Sequence, residues 1–254
     1  MRNDMFRLDG KVALVTGAAG AIGSAIAIDL ARQGAHLALV DMPGVSTASV
    51  ADKAGAFGGR TIGVEMDIRQ AEQRRSGVAQ VVAEFGRLDI LVNNAGINRP
   101  MTALEVTEDN WDDHFATNVK GGFFLAQVVA PHMIEQGWGR VIFISSQAGL
   151  VAIPGMPAYC VSKAAIVQVG RSLGIEWAKH GITVNAVAPT TVETDLNRVR
   201  LQEPEFRAYC LRKIPVGHFA TVEDVSACVA FLASEEAGMV NCHTLRVDGG
   251  WTAW

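Results

Sequence analysis

The sequence predicts an α/β protein built as a doubly wound parallel sheet, and three observations predict it. Apolar runs of strand length recur along the whole chain, segments of helical length separate them, and the runs lack the polar alternation of a sheet with one wet face. Strands that are apolar on both faces need helices on both sides.

The first run, KVALVTG from Lys11 to Gly17, passes through TGAAGAIG (Thr16 to Gly23) into the helical SAIAIDLA of Ser24 to Ala31. Glycines at 17, 20 and 23 permit the positive φ angles and close approach with which backbone N–H groups and a helix amino terminus meet an anion. The spacing is not GxGxxG, so taken alone it fits a phosphate cradle or a glycine-punctuated loop. The second run, HLALVD, ends in Asp41, 18 residues after Gly23. A carboxylate there accepts hydrogen bonds from ribose hydroxyls and repels a 2′-phosphate, although Asp41 also reads as a turn residue before Pro43. No Arg or Lys stands in the turn or directly after Asp41, which favours NAD over NADP.

The third and fourth runs are TIGVEMD from Thr61 and LDILVNNAG from Leu88, the latter ending in the turn-forming Asn93, Asn94, Ala95 and Gly96. A helical stretch from Asp109 to Gln136 leads to the fifth run, GRVIFISS, whose Ser145 and Ser146 fall at the carboxyl edge where such sheets gather reactive groups. The next helix, Ala158 to His180, carries Tyr159 and Lys163 at i and i+4, hence on one face. A phenol of pKa ~10 is a poor base at neutral pH, and a neighbouring ammonium stabilises its anion. The sixth run is ITVNAVAP from Ile182. Residues 190–216 then bring charges, two prolines and weak periodicity after a strand end, the signature of a substrate lid. HTLRVDGG from His243 is the seventh run. No composition break or repeat divides residues 1–254, so one domain is expected.

A net charge of -4 from scattered residues favours neither nucleic acid nor an anionic membrane as partner. The amino terminus carries no apolar leader, and no run reaches the roughly 18 apolar residues of a spanning helix. A cytoplasmic protein is expected. Four dispersed cysteines, Cys160, Cys210, Cys228 and Cys242, and six unclustered histidines offer no metal-ligand pattern; reduced thiols are the expectation.

Taken in this order, the motifs resemble the short-chain dehydrogenase/reductase family over nearly the whole chain. The resemblance implies a Rossmann-type fold with Tyr159 as general acid/base, and Lys163 lowering its pKa and binding the nicotinamide ribose. It further implies that Ser146, first in Ser-Gln-Ala-Gly149, orients substrate, with Ser145 the second candidate, and that Asn118 in ATNVKGGFF supports a water-linked proton relay. By the same matching, Gly17, Gly20, Ala21, Ile22 and Gly23 form the pyrophosphate turn. Asp41 takes the ribose, Asp67 and Ile68 the adenine, Asn94, Ala95 and Gly96 line the cofactor, and Pro189, Thr190, Val192 and Thr194 pass the nicotinamide. Three features depart from the family pattern: Ala21 replaces a turn glycine, Thr190 replaces the glycine after Pro189, and Asn241-Cys242 stands where Thr-Gly is common.

Candidate substrate contacts are Asn98, Arg99, Gln147, Met156, Thr191, Glu193 and Trp251. Several hydrogen-bond hydroxyls, which favours a multiply hydroxylated substrate, because unsatisfied buried polar groups are costly. VDGGWTAW and MFRLDGKVALVTGA look like the termini of sugar-alcohol dehydrogenases of this family, acting on secondary hydroxyls of polyols. The rival is a 3-oxoacyl-(acyl-carrier-protein) reductase; the resemblance implies two carrier-docking arginines there, and the matching positions here are Gly137 and His180. A silent dinucleotide sensor is the reading from another class, opposed by the retained Asn118, Ser146, Tyr159 and Lys163. The broad apolar faces of the helices 109–136 and 158–180, with Phe115, Phe123, Phe124, Val167 and Leu173, suggest further partners. The resemblance implies a homotetramer or homodimer built on them, with Trp251 and Trp254 packing either across subunits or within the chain.

Overall fold

All seven apolar runs become parallel strands in the computed structural model, which describes residues 5–194 and 201–253. They are β1 Val12–Thr16, β2 His36–Asp41, β3 Thr61–Glu65, β4 Ile90–Asn93, β5 Gly139–Ile144, β6 Ile182–Pro189 and β7 Thr244–Val247. Their order across the sheet is β3-β2-β1-β4-β5-β6-β7. β1 pairs with β2 from Val12 opposite His36 and with β4 from Ala13 opposite Ile90. The chain therefore runs outward from β1 to β3 and then returns to β4. That reversal opens a crevice at the carboxyl ends of β1 and β4, where open α/β sheets take ligands.

β1, β4, β5 and β6 are buried along their whole length, as runs apolar on both faces require. On one side of the sheet Ile26 and Leu30 of α1 (Ala21–Arg32) pack with Leu39, Ile90 and Val229. On the other, Leu14, Leu91 and Phe143 meet Val81, Leu125, Met133, Ile166 and Leu173. Each large apolar side chain so buried contributes about 1.5–3 kcal/mol against solvent exposure. Among the described residues the remaining α-helices are α2 Ala48–Gly55, α3 Ala71–Phe85, α4 Glu108–His114, α5 Gly122–Gln136, α6 Pro157–Trp177, α7 Pro204–Arg212 and α8 Val222–Ala233.

The stretch expected as one helix from Asp109 to Gln136 is not one. Thr107 caps α4 by accepting from the Asn110 N–H, and Phe115–Gly121 then widens into a π-helix before α5 begins. Asn118 sits in that widened turn, and single π turns concentrate at functional positions. The segment expected as a lid, 190–216, includes residues 195–200, which lie outside the described residues. Its described part contributes Leu201, Cys210 and Ile214 to a small apolar cluster with Phe219 and Trp251.

Asn241-Cys242 has a structural role. The Asn241 side chain accepts from the N–H groups of Val184 and Cys242 and donates to the Gly174 carbonyl, tying β6 to α6. Cys242 adopts φ +58°, the left-handed conformation for which glycine is the ordinary choice. Among the described residues no helix is long and apolar enough to cross a membrane, and no group of three His, Cys, Asp or Glu is placed to hold a metal ion.

Candidate active site

The turn after β1 closes on itself. Gly17 takes φ +64°, and a Cβ at Gly23 would fall 2.1 Å from the Gly17 carbonyl oxygen, so the helix start packs directly on the strand end. Gly20 is the N-cap of α1 and supplies no side-chain cap, leaving the helix amino terminus to an anion. Asn94 fixes the crossing point: its side chain donates to the carbonyls of Thr16 and Gly17 at 2.9 and 3.1 Å. Thr16 completes the clamp, its hydroxyl accepting from the N–H groups of Asn94 and Ala95 at 3.0 Å each. Sequence reasoning missed Thr16, which looks like an ordinary strand residue until the β4 turn is placed against it.

Two cavities meet at Gly96 and Ile97. The first, of about 310 Å³, is lined by Gly17, Asp41, Asp67, Ile68 and Ala95 from the expected cofactor set, together with Arg69 and Asp113. Asp41 is fixed there, one carboxylate oxygen accepting from the Ala19 N–H and the other from the Met42 N–H, both at 2.9 Å. Arg69 grips Asp67 through Nε and Nη2, and this holds the Asp67 carboxyl below its ordinary range.

The second cavity, of about 590 Å³, gathers Ser146, Tyr159 and Lys163 with Ile22, Asn94, Pro189, Thr190, Val192 and Thr194. Ser146 faces the same cavity as Tyr159, and its hydroxyl accepts from the Ala148 N–H. Ser145 also lines this cavity, but its hydroxyl donates to the Lys163 carbonyl at 2.8 Å, a structural bond. Lys163 Nζ donates to the Ile144 carbonyl at 2.8 Å, and burial brings its pKa down to about 8. The Tyr159 phenol lies above its ordinary value, chiefly because it is desolvated, and the Lys163 ammonium lies 5.7 Å from the ring centroid.

Asn118 stands behind this group. Its amide accepts from the Ile97 N–H at 2.7 Å and donates to the Ile97 carbonyl and Ser162 hydroxyl, both at 3.0 Å. A Cβ at Gly96 would meet Asn118 Oδ1 at 3.1 Å and Lys163 Nζ at 3.3 Å, so a side chain there would press on both groups. The turn, the uncapped helix start and the bare Gly96 backbone fit a dinucleotide laid across both cavities. Gly20, Ala21 and Gly23 of the expected cofactor set form the N-cap and first turn of α1.

Of the expected substrate contacts, Asn98, Gln147, Met156, Thr191 and Trp251 line the second cavity. Arg99 does not: it pairs with Asp113 at the first cavity, while Asn98 and Pro100 on either side of it line the second. Glu193 lines neither; it is exposed, and its N–H bonds the Ala220 carbonyl. Leu201, Phe206 and Tyr209 complete the apolar wall. Sequence reasoning passed over them because the segment lacks a clear helical period.

A family model described as enoyl-(acyl carrier protein) reductase matches residues 17–252. The chain is 42% identical to D-threitol dehydrogenase of Mycolicibacterium smegmatis, over 97% of its own length and 95% of that protein. It is 36% identical to a 3-oxoacyl-[acyl-carrier-protein] reductase of Thermotoga maritima, over 96% and 98%. A gluconate 5-dehydrogenase from Burkholderia cenocepacia, solved with NADP and tartrate, superposes with a TM-score of 0.94 at 35% identity, over 99% of this chain and 98% of that one. With a Rossmann-type sheet, a glycine turn at its switch point and Ser146, Tyr159 and Lys163 in one cavity, the chain belongs to the short-chain dehydrogenase/reductase family of alcohol–ketone oxidoreductases.

Proposed function

We propose that this chain is an NAD-dependent dehydrogenase, interconverting a secondary hydroxyl and a ketone on a polyol, a sugar or a related hydroxylated molecule. The meeting of Ser146, Tyr159 and Lys163 in the second cavity carries the reading. Ser146 holds the substrate oxygen beside the Tyr159 hydroxyl, and Tyr159 takes the proton of the carbinol during oxidation or returns it during reduction. Lys163 supports the phenolate and holds the nicotinamide ribose, and Asn118 steadies the wall at Ile97. Bound NAD supplies the acceptor for the hydride. Positioning and a tuned proton acceptor are the protein's contributions.

NAD rests on Asp41, whose fixed carboxylate would repel a 2′-phosphate. The Burkholderia relative was solved with NADP, and here the nearby Arg69 is already engaged by Asp67. A hydroxylated substrate is supported by Asn98, Gln147, Thr190 and Thr191 around the cavity and by the likeness to D-threitol dehydrogenase. The described part of 190–216 acts as a lid on one domain, lending Leu201, Phe206 and Tyr209. Four cysteines dispersed along the sequence suit a reducing, cytoplasmic setting.

Initial rates with NAD and NADP on D-threitol, glycerol, D-gluconate and a 3-oxoacyl thioester test the reading. We expect a polyol or sugar acid to be oxidised with NAD at least about tenfold faster than with NADP. Tyr159→Phe is expected to lose about 10²–10⁴ of the rate while still binding NAD. Turnover confined to the thioester with NADPH would replace this reading by the carrier-protein one, and a fully active Tyr159→Phe would remove the assigned mechanism.

A further inference from the structure

We propose that His114 is a positioning residue: it holds the substrate-side loop, residues 97–100, against the catalytic tyrosine. The side chain is completely buried at the end of α4 and meets the Tyr159 ring edge-on, with centroids 6.3 Å apart at 71°. Its Nε2 lies 3.2 Å from the Arg99 backbone nitrogen, and its Nδ1 lies 2.7 Å from the Asn110 carbonyl oxygen. The Asn110 side chain donates to the Arg99 carbonyl at 3.2 Å, so α4 grips Arg99 at both of its backbone polar groups.

These partners determine the chemistry of the ring. The Arg99 N–H only donates, so Nε2 must accept; the Asn110 carbonyl only accepts, so Nδ1 must carry the proton. The bridge therefore requires neutral imidazole in the Nδ1–H tautomer. An imidazolium would set an Nε2–H against the Arg99 N–H. Tyr159 from α6 stands against the ring, and the side chain of Arg99 pairs with Asp113, the residue before His114 in α4. On either side of Arg99, Ile97, Asn98 and Pro100 line the second cavity. The His114 ring thus transmits the position of Tyr159 to the wall that faces the substrate, an inference resting on the assignment of that cavity to substrate.

His114→Phe keeps a ring edge for Tyr159 and removes both nitrogens, leaving the Arg99 N–H without its acceptor. His114→Gln keeps a terminal amide oxygen for that N–H. The kinetic probe is whichever of D-threitol, glycerol and D-gluconate wild type oxidises fastest. We expect His114→Phe to raise its KM about tenfold with kcat within about threefold, and His114→Gln to recover most of the loss. Long-range ¹H–¹⁵N spectra of histidine-labelled protein at pH 8, with the His114 signal identified by its loss in His114→Gln, should show the Nδ1–H tautomer. An Nε2–H tautomer, or a folded His114→Phe with wild-type KM, would overturn the proposal. If His114→Phe does not fold, the KM of His114→Gln and the tautomer decide it. A fully active Tyr159→Phe would instead sink the assignment of the cavity and leave the tautomer result standing.

Discussion

Lys163 carries its ammonium in a place that penalises charge: the side chain is 6% exposed, and burial takes its pKa from 10.5 to about 8. Below about pH 8 both the folded and the unfolded chain hold this proton, and the cost of burying the charge is felt in full. Between about pH 8 and 10.5 the unfolded chain binds the proton and the folded chain does not, so stability rises with pH, by roughly 3 kcal/mol over the window. Lys163→Met avoids that cost but gives up the bond to the Ile144 carbonyl, worth about 1 kcal/mol. The variant should therefore be inactive yet more stable than wild type at pH 7.5, by roughly 2 kcal/mol, and less stable than wild type at pH 10.5, by up to about 1 kcal/mol. Urea unfolding of both proteins at the two pH values measures it; a gap independent of pH would mean that Lys163 titrates as an ordinary lysine. The i,i+4 spacing of Tyr159 and Lys163 was legible in the sequence. Their environment was not, because desolvation depends on the strands and loops that close over α6.

The strands were the most legible elements, since a run apolar on both faces has one good destination, the middle of a covered sheet. The helices were less so. The apolar period continues through Phe115–Gly121 with no proline or cap to mark the break, and only the side chain of Asn118, engaged with Ile97, distinguishes the widened turn. Caps are local and were readable in principle: in TVED, Thr221 accepts from the Asp224 N–H and Asp224 accepts from the Thr221 N–H, a complete capping box on α8. α8 packs through Val225 and Val229 on the face of the sheet opposite α6, away from both cavities. Thr221→Ala should cost about 1 kcal/mol and lower Tm by about 2–4 °C while leaving kcat and KM unchanged. Calorimetry beside steady-state rates checks this, and a change in KM would mean that α8 communicates with the site.

For the whole molecule, the apolar helix faces divide differently from the sequence expectation. Val167 and Leu173 are buried in the core, Phe123 packs against it, and Phe115 stacks on Trp111 with centroids 5.1 Å apart. Trp251 is buried beside Tyr209 within the chain, and Trp254 lies outside the described residues. A sequence period shows that a helix has an apolar face without showing how much of it one sheet consumes. What stays uncovered is Trp111 on α4, Ile134 on α5, and Val161 and Ile175 on α6, the last 74% exposed. A second copy is the occupant we propose for this surface, because α5 and α6 pack on the same side of the sheet and each leaves an aliphatic side chain in water. A stable contact of this kind buries about 800 Å² per partner and tolerates an unpaired charge at its centre poorly. Light scattering on wild type should give a multiple of the 27.0 kDa chain, a dimer or a tetramer, and Ile175→Glu should give a smaller species with unchanged secondary structure. A wild-type monomer would leave these side chains as ordinary exposed surface, whereas an assembly untouched by Ile175→Glu would place the contact elsewhere.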